Sequence, residues 1–268
     1  MFKDSHIHTN HSCDGISTME EFVRSAKSKN VDEITFTDHF DIYDGLNTKF
    51  YTMDVDLYYQ NYLKFKAATD FPINFGIEVG LQPHLTERIS NMLGSYPFDF
   101  VIASQHVTRK TDIGQDPSFF TGRTRNESYM VYFEEMLENI NLYDNFDVFG
   151  HLDYVVRYGG FDEKHIEYKE FAEILDEILI SLIKRDKGIE LNTSGLRYGL
   201  LFPHPNTQIL KRYKELGGKI ITMGSDAHNA NDIASDFNKA KEILKTVGFK
   251  EIAVFRKRKP YFYKIDLL

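Results

Sequence analysis

The stretch Asp4-Ser5-His6-Ile7-His8, with His11 three residues further on, decides how this chain is read. On an extended backbone, side chains two apart point to the same face, so His6 and His8 can grip one ion from the same side. A short strand over residues 3–8 suits this pattern. Working outward, apolar, β-branched runs follow at 34–37, 73–79, 98–103, 148–152, 189–192 and 220–223. Their ends resemble the first. They are Thr37-Asp38-His39, Gly76-Ile77-Glu78, Ser104-Gln105-His106, Gly150-His151-Leu152-Asp153, Glu190-Leu191-Asn192-Thr193-Ser194 and Gly224-Ser225-Asp226-Ala227-His228.

Helical patterns separate the runs. Ser17-Thr18-Met19-Glu20 has capping-box spacing, and Met19, Phe22, Val23 and Ala26 repeat behind it at helical intervals. Met130, Phe133, Met136, Leu137 and Ile140 form a second stripe, and Phe171, Ile174, Leu175, Ile178, Leu179 and Leu182 a third. Strands alternating with helices predict parallel βαβ units. About seven units in one chain predict an α/β barrel more than an open sheet. Residues 108–125, with Gly114, Pro117 and Gly122, read as a long loop of the kind that often carries function.

Of the ten histidines, His6, His8, His11, His39, His106, His151 and His228 stand at or just past strand C-terminal ends. In a barrel these ends face one mouth, where active sites are built. Imidazole mixed with the carboxylates of Glu78 and Asp226 suits Zn, Fe or Mn better than the oxygen-seeking Ca or Mg. His84, His165 and His204 read as non-ligands, with His204 alone free to border the pocket.

Composition limits the alternatives. The 268 residues are 42% hydrophobic and 27% charged, an ordinary globular balance read as one domain over residues 1–268. The net charge of −8 disfavours nucleic acid as a partner. The run Arg256-Lys257-Arg258-Lys259 reads as a solvated edge. No apolar run is long enough to span a membrane, no signal peptide is evident, and the single Cys13 excludes an internal disulfide. A cytoplasmic location is the expectation. Cys13 lacks the phosphate-cradling loop of a cysteine phosphatase and is not read as a nucleophile.

The series Asp4-Ser5-His6-Ile7-His8, Thr37-Asp38-His39, Glu78, His106, Gly150-His151 and Ser225-Asp226-Ala227-His228 resembles the polymerase and histidinol phosphatase (PHP) superfamily, in order and over nearly the whole chain. The stretches His11-Ser12-Cys13-Asp14-Gly15 and Asn192-Thr193-Ser194-Gly195-Leu196-Arg197 are similar to its histidinol-phosphate phosphatase branch. The resemblance implies a distorted seven-stranded (β/α)7 barrel with its active site at the strand C-terminal ends. It implies three divalent metal ions: one held by His6, His8, Glu78 and Asp226, one by Glu78, His106 and His151, and one by His11, His39 and His228. The implied activity is hydrolysis of a small phosphomonoester, L-histidinol phosphate, by a metal-bridging hydroxide. Another phosphoesterase activity, on phosphotyrosine or a nucleic acid, and a non-catalytic metal-binding regulator are the alternatives.

A guanidinium fork matches phosphate geometry. Arg197 is the first candidate for that clamp and Arg157 the second. Asp153 is a candidate to orient His151 or to protonate the leaving oxygen. Histidinol phosphate also carries an amine and an imidazole, for which Asp112 or Asp116 on the long loop offers an acidic partner. The oligomeric state is not legible.

Overall fold

The computed structural model describes all 268 residues. Its strands are β1 (Phe2–Ile7), β2 (Val31–Phe36), β3 (His39–Phe40), β4 (Ile73–Gly80), β5 (Phe100–Ser104), β6 (Val107–Thr108), β7 (Thr111–Asp112), β8 (Val148–Phe149), β9 (Gly188–Asn192), β10 (Ile221–Gly224), β11 (Glu251–Arg256) and β12 (Lys259–Lys264). Its helices are α1 (Met19–Ser28), α2 (Val55–Ala68), α3 (Thr86–Ser95), α4 (Arg125–Leu142), α5 (Ala172–Lys184), α6 (Ser194–Arg197), α7 (Thr207–Glu215) and α8 (Phe237–Val247).

Seven strands pair in parallel in the order β1-β2-β4-β5-β8-β9-β10. Strands covered on both faces need apolar residues throughout, and all eight residues of β4 are buried. The sheet closes between the end of β1 and the segment just past β10. The Ile7–Ala227 bridge joins the two edges, with the His8 N–H donating to Ala227 O and the Asp226 N–H to His6 O, each at 2.8 Å. No ladder joins β1 to β10 themselves, and this is the distortion of the barrel. The closing contacts involve the very residues that carry the leading histidines. Closure and site assembly are therefore one event.

The helices bury the expected stripes. Phe133, Met136 and Ile140 of α4 and Leu175, Ile178, Leu179 and Leu182 of α5 are in the core. The capping box of α1 is Thr18 with Glu21, one residue later than the Ser17–Glu20 spacing suggests. Residues 108–125 are not one long loop. They include the β6–β7 hairpin and a helical turn over Pro117–Phe120 whose Phe119 and Phe120 are buried. The basic run is not simply a solvated edge either. It forms the turn of the β11–β12 hairpin, where Arg256 bonds Glu33 (2.5 and 2.8 Å) and Arg258 bonds Asp147 (2.7 Å). No helix is long and apolar enough to cross a membrane.

Candidate metal centre

Glu78, near the end of β4, is fully buried and stands at the middle of the mouth. Five imidazoles surround its carboxylate. His39 Nδ1 lies 2.8 Å from Oε2, with His6 Nε2 at 3.3 Å and His8 Nε2 at 3.5 Å. On the other side, His151 Nε2 is 2.8 Å and His106 Nε2 3.4 Å from Oε1. Asp226 faces the same group from beyond β10, its Oδ1 3.3 Å from His8 Nε2 and 3.8 Å from His6 Nε2. His228 stacks on His8 and places its Nε2 3.3 Å from that of His39. Eight of the nine ligand candidates thus converge on one cavity.

His11 does not join them. Its ring packs on Tyr58, and its Nε2 lies 3.3 Å from the Asn61 side-chain nitrogen, both on α2. Asp14 occupies the corner expected of His11. Its carboxylate oxygens lie 3.3 Å from His228 Nε2 and 3.8 Å from His39 Nε2, and it lines the cavity. The reason is the turn after β1. Asp38 accepts hydrogen bonds from the backbone N–H groups of Thr9 and Ser12 and from the Ser12 hydroxyl, and this coil turns His11 outward.

Four groups of these side chains have donor atoms close enough together to hold a metal ion: His6, His8 and Glu78; Glu78, His106 and His151; His8, His39 and His228; and His39, Asp41 and His106. Buried His6 Nε2, His8 Nε2 and Asp14 Oδ1 have no hydrogen-bond partner, and His39 Nδ1 and Glu78 Oε2 meet at 2.8 Å without good hydrogen-bond geometry. Lone pairs buried this way, and facing one another, fit cations and nothing else in the chain. The charges agree. Burial disfavours ionising Glu78, yet His6, His39 and His106 hold it well below the usual carboxylate range. Burial likewise opposes a charged His39, but Glu78 and Asp14 raise it to about 9. His8 is driven the other way by burial and by His39 and His228 beside it. With Glu78 and Asp226 both held ionised, the cluster has the negative field a divalent cation would use.

A surrounding layer orients the ligand rings. Glu190 on β9 takes His6 Nδ1 at 2.7 Å and accepts from the His151 N–H at 3.2 Å. Asp41 lies 3.0 Å from His106 Nδ1. Such carboxylate–imidazole contacts fix the ring nitrogen that faces the metal. Gly224 makes room for this layer, since a Cβ there would collide with Glu190 and His6. Glu190 and Asp41 were not singled out by the sequence reading. The available signal was a glutamate in an otherwise buried strand, and an aspartate two residues past His39.

The two arginine candidates exchange rank. Arg197 donates to the backbone oxygens of Ser225 (3.1 Å) and Asp226 (2.8 Å) and braces that loop. Arg157 instead lines the cavity, with its guanidinium over the Tyr154 and Tyr198 rings and its Nη2 3.6 Å from Asp226. Its Nε donates to His204 Nε2 at 3.0 Å. Asp153 is engaged by His204 and Asn206 and makes no hydrogen bond to His151. One of its oxygens bonds His204 Nδ1 and the other accepts from the Asn206 N–H at 2.9 Å. Asp153 thus sets the ring that sets Arg157. His204 is fully buried, which explains a histidine between two prolines. Cys13 is half-buried and its thiol is pushed up to about 12 by burial and by Asp14, an environment that disfavours the thiolate.

A parallel barrel with imidazoles and carboxylates at its strand C-terminal ends defines a metal-dependent hydrolase scaffold. The PHP domain model matches residues 4–194, and the chain belongs to this family. Among its relatives is the histidinol-phosphatase of Lactococcus lactis, 34% identical over 94% of this chain and 93% of the relative. A probable histidinol-phosphatase of Clostridium acetobutylicum is 29% identical over 96% of this chain and 98% of its own length. The crystal structure of the Lactococcus lactis histidinol phosphate phosphatase, complexed with zinc, L-histidinol and phosphate, superimposes with a TM-score of 0.85 at 32% identity. It covers 97% of this chain and 98% of that one.

Proposed function

We propose that this protein is a histidinol-phosphatase, a phosphoric monoester hydrolase that converts L-histidinol phosphate and water to L-histidinol and phosphate. The carrying observation is buried Glu78 held among five imidazoles, three of which (His39, His106 and His151) line a cavity of about 260 Å³. That volume suits a small monoester, not a polynucleotide or a peptide chain. The relatives' shared name supplies the leaving group.

His6, His8, Glu78 and Asp226 would hold one ion, and Glu78, His106 and His151 a second. His39 and His228 with Asp14, in place of His11, would hold a third. Zinc, iron or manganese fits this donor set. Bound divalent ions supply a water ionisable near neutral pH and offset charge on the phosphoryl oxygens. The chain's own residues do the rest. Arg157, desolvated and fixed by His204 and Ser194, presents its guanidinium to phosphate. Glu190 and Asp41 keep the His6 and His106 rings turned to the centre. Tyr154 and Tyr158 wall the cavity and limit water. The lone unpaired cysteine and the biosynthetic reaction support a cytoplasmic location.

The test is steady-state kinetics on a metal-assayed sample with L-histidinol phosphate, a phosphotyrosine peptide and an oligonucleotide. The expected result is about a hundredfold or greater preference for histidinol phosphate, and loss of metal and turnover in Glu78→Gln. Turnover of the peptide or oligonucleotide with histidinol phosphate untouched would overturn the reading.

A further inference from the structure

Asp112 ends β7, in the hairpin that follows His106 directly. It is 3% exposed and lines the same cavity as the metal-centre residues. Its two carboxylate oxygens differ. Oδ1 accepts from the N–H groups of Gly114 (3.0 Å) and Gln115 (3.2 Å), which builds the turn. Oδ2 is buried and has no hydrogen-bond partner. The Thr48 side chain is the one hydroxyl donor near the carboxylate, and burial pushes the Asp112 pKa up; no lysine or arginine lies beside it to form an ion pair. The one cavity guanidinium, Arg157, is engaged by Ser194, His204 and Asp226. A buried carboxylate oxygen without a donor is costly, so its partner is expected to arrive from outside.

The walls around Asp112 are aromatic: Tyr43, Phe50, Tyr154 and Tyr158. An anion beside aromatic faces suits an organic cation. The one cavity thus holds two chemistries, imidazoles and Arg157 that suit the phosphate and Asp112 with aromatic rings that suit a positively charged nitrogen. Asp116, the other acid of this segment, does not line the cavity; it caps the Pro117–Phe120 turn while accepting from Asn47. It takes no part.

We propose that Asp112 is the specificity residue of this site, its Oδ2 accepting a hydrogen bond from the cationic amine or imidazole nitrogen of the substrate's leaving group. The inference rests on the histidinol-phosphatase reading. It goes further by assigning the discrimination between monoesters with a cationic and with an uncharged leaving group to one carboxylate oxygen.

Asp112→Asn tests it. The amide keeps the turn-forming oxygen and removes the charge. Turnover of L-histidinol phosphate and of phenyl phosphate, whose leaving group carries no cation, is measured on wild type, Asp112→Asn and Asp116→Asn, with metal content alongside. The expected result is a loss of about 10- to 100-fold in kcat/KM for histidinol phosphate, chiefly through KM, the range for a charge-assisted hydrogen bond. Phenyl phosphate turnover and metal content should hold within about twofold, and Asp116→Asn should match wild type. A parallel loss on both substrates, or no change on either, overturns the inference and leaves the function standing. A wild type that cleaves phenyl phosphate but not histidinol phosphate overturns the function, and the inference with it.

Discussion

The imidazole nearest in sequence to the HxH pair, His11, stands outside the cluster that the other histidines form. His11 packs on Tyr58, while Asp14 reaches His39 and His228. Residue type and strand-end position made eight of the nine ligand candidates legible, because a strand fixes where its side chains point. The segment after β1 has no such period. Its path follows the hydrogen bonds to Asp38, which no local pattern announces. Asp14→Ala should lose about one metal equivalent and at least tenfold in turnover, by metal analysis and kinetics on the same sample, whereas His11→Ala should keep its metal. The arginines repeat the lesson. Arg157 and Arg197 both follow strand ends, and only the packing of His204 separates the clamp from the brace. We expect Arg157→Ala to raise the inhibition constant for inorganic phosphate about 10- to 100-fold with the metals retained. Arg197→Ala should act mainly on stability.

At the scale of elements, the seven parallel strands could be read from apolar runs with polar ends. The β6–β7 hairpin and α2 could not. Each hairpin strand is two residues long, and α2 buries only Val55, Tyr58 and Tyr62, too sparse a stripe to stand out. The C-terminal hairpin also lay beyond the alternation. Its Ala253 and Phe255 pack with Phe100, Ile102 and Val148 in a separate small cluster, with the Phe100 and Phe255 rings 5.0 Å apart. That cluster meets β5 near its start, away from the strand ends that carry the histidines. Phe255→Ala should therefore cost about 3–5 kcal/mol in denaturant unfolding, while the folded fraction keeps its kcat. A change in kcat of the folded protein would show that the hairpin reaches the site.

Over the whole molecule, a −8 chain must attract a phosphate dianion. It can do so because the attraction is local. Buried donors at the mouth suit divalent cations, and bound ions dominate the nearby field. The Ile7–Ala227 bridge lies between His6, His8, Asp226 and His228, so ions bound by these side chains would also tie the two edges of the barrel together. Exhaustive chelation should lower the thermal midpoint, because an ion that binds only the folded chain stabilises it by mass action. The central claim is that this convergence of side chains acts as a metal-dependent phosphatase on a small cationic monoester. The most direct measurement is phosphate release from L-histidinol phosphate by a metal-assayed sample, before and after chelation and again after divalent metal is restored. The account predicts turnover that disappears on chelation and returns with the metal. Full turnover in the chelated protein, or none in the fully loaded one, would contradict it.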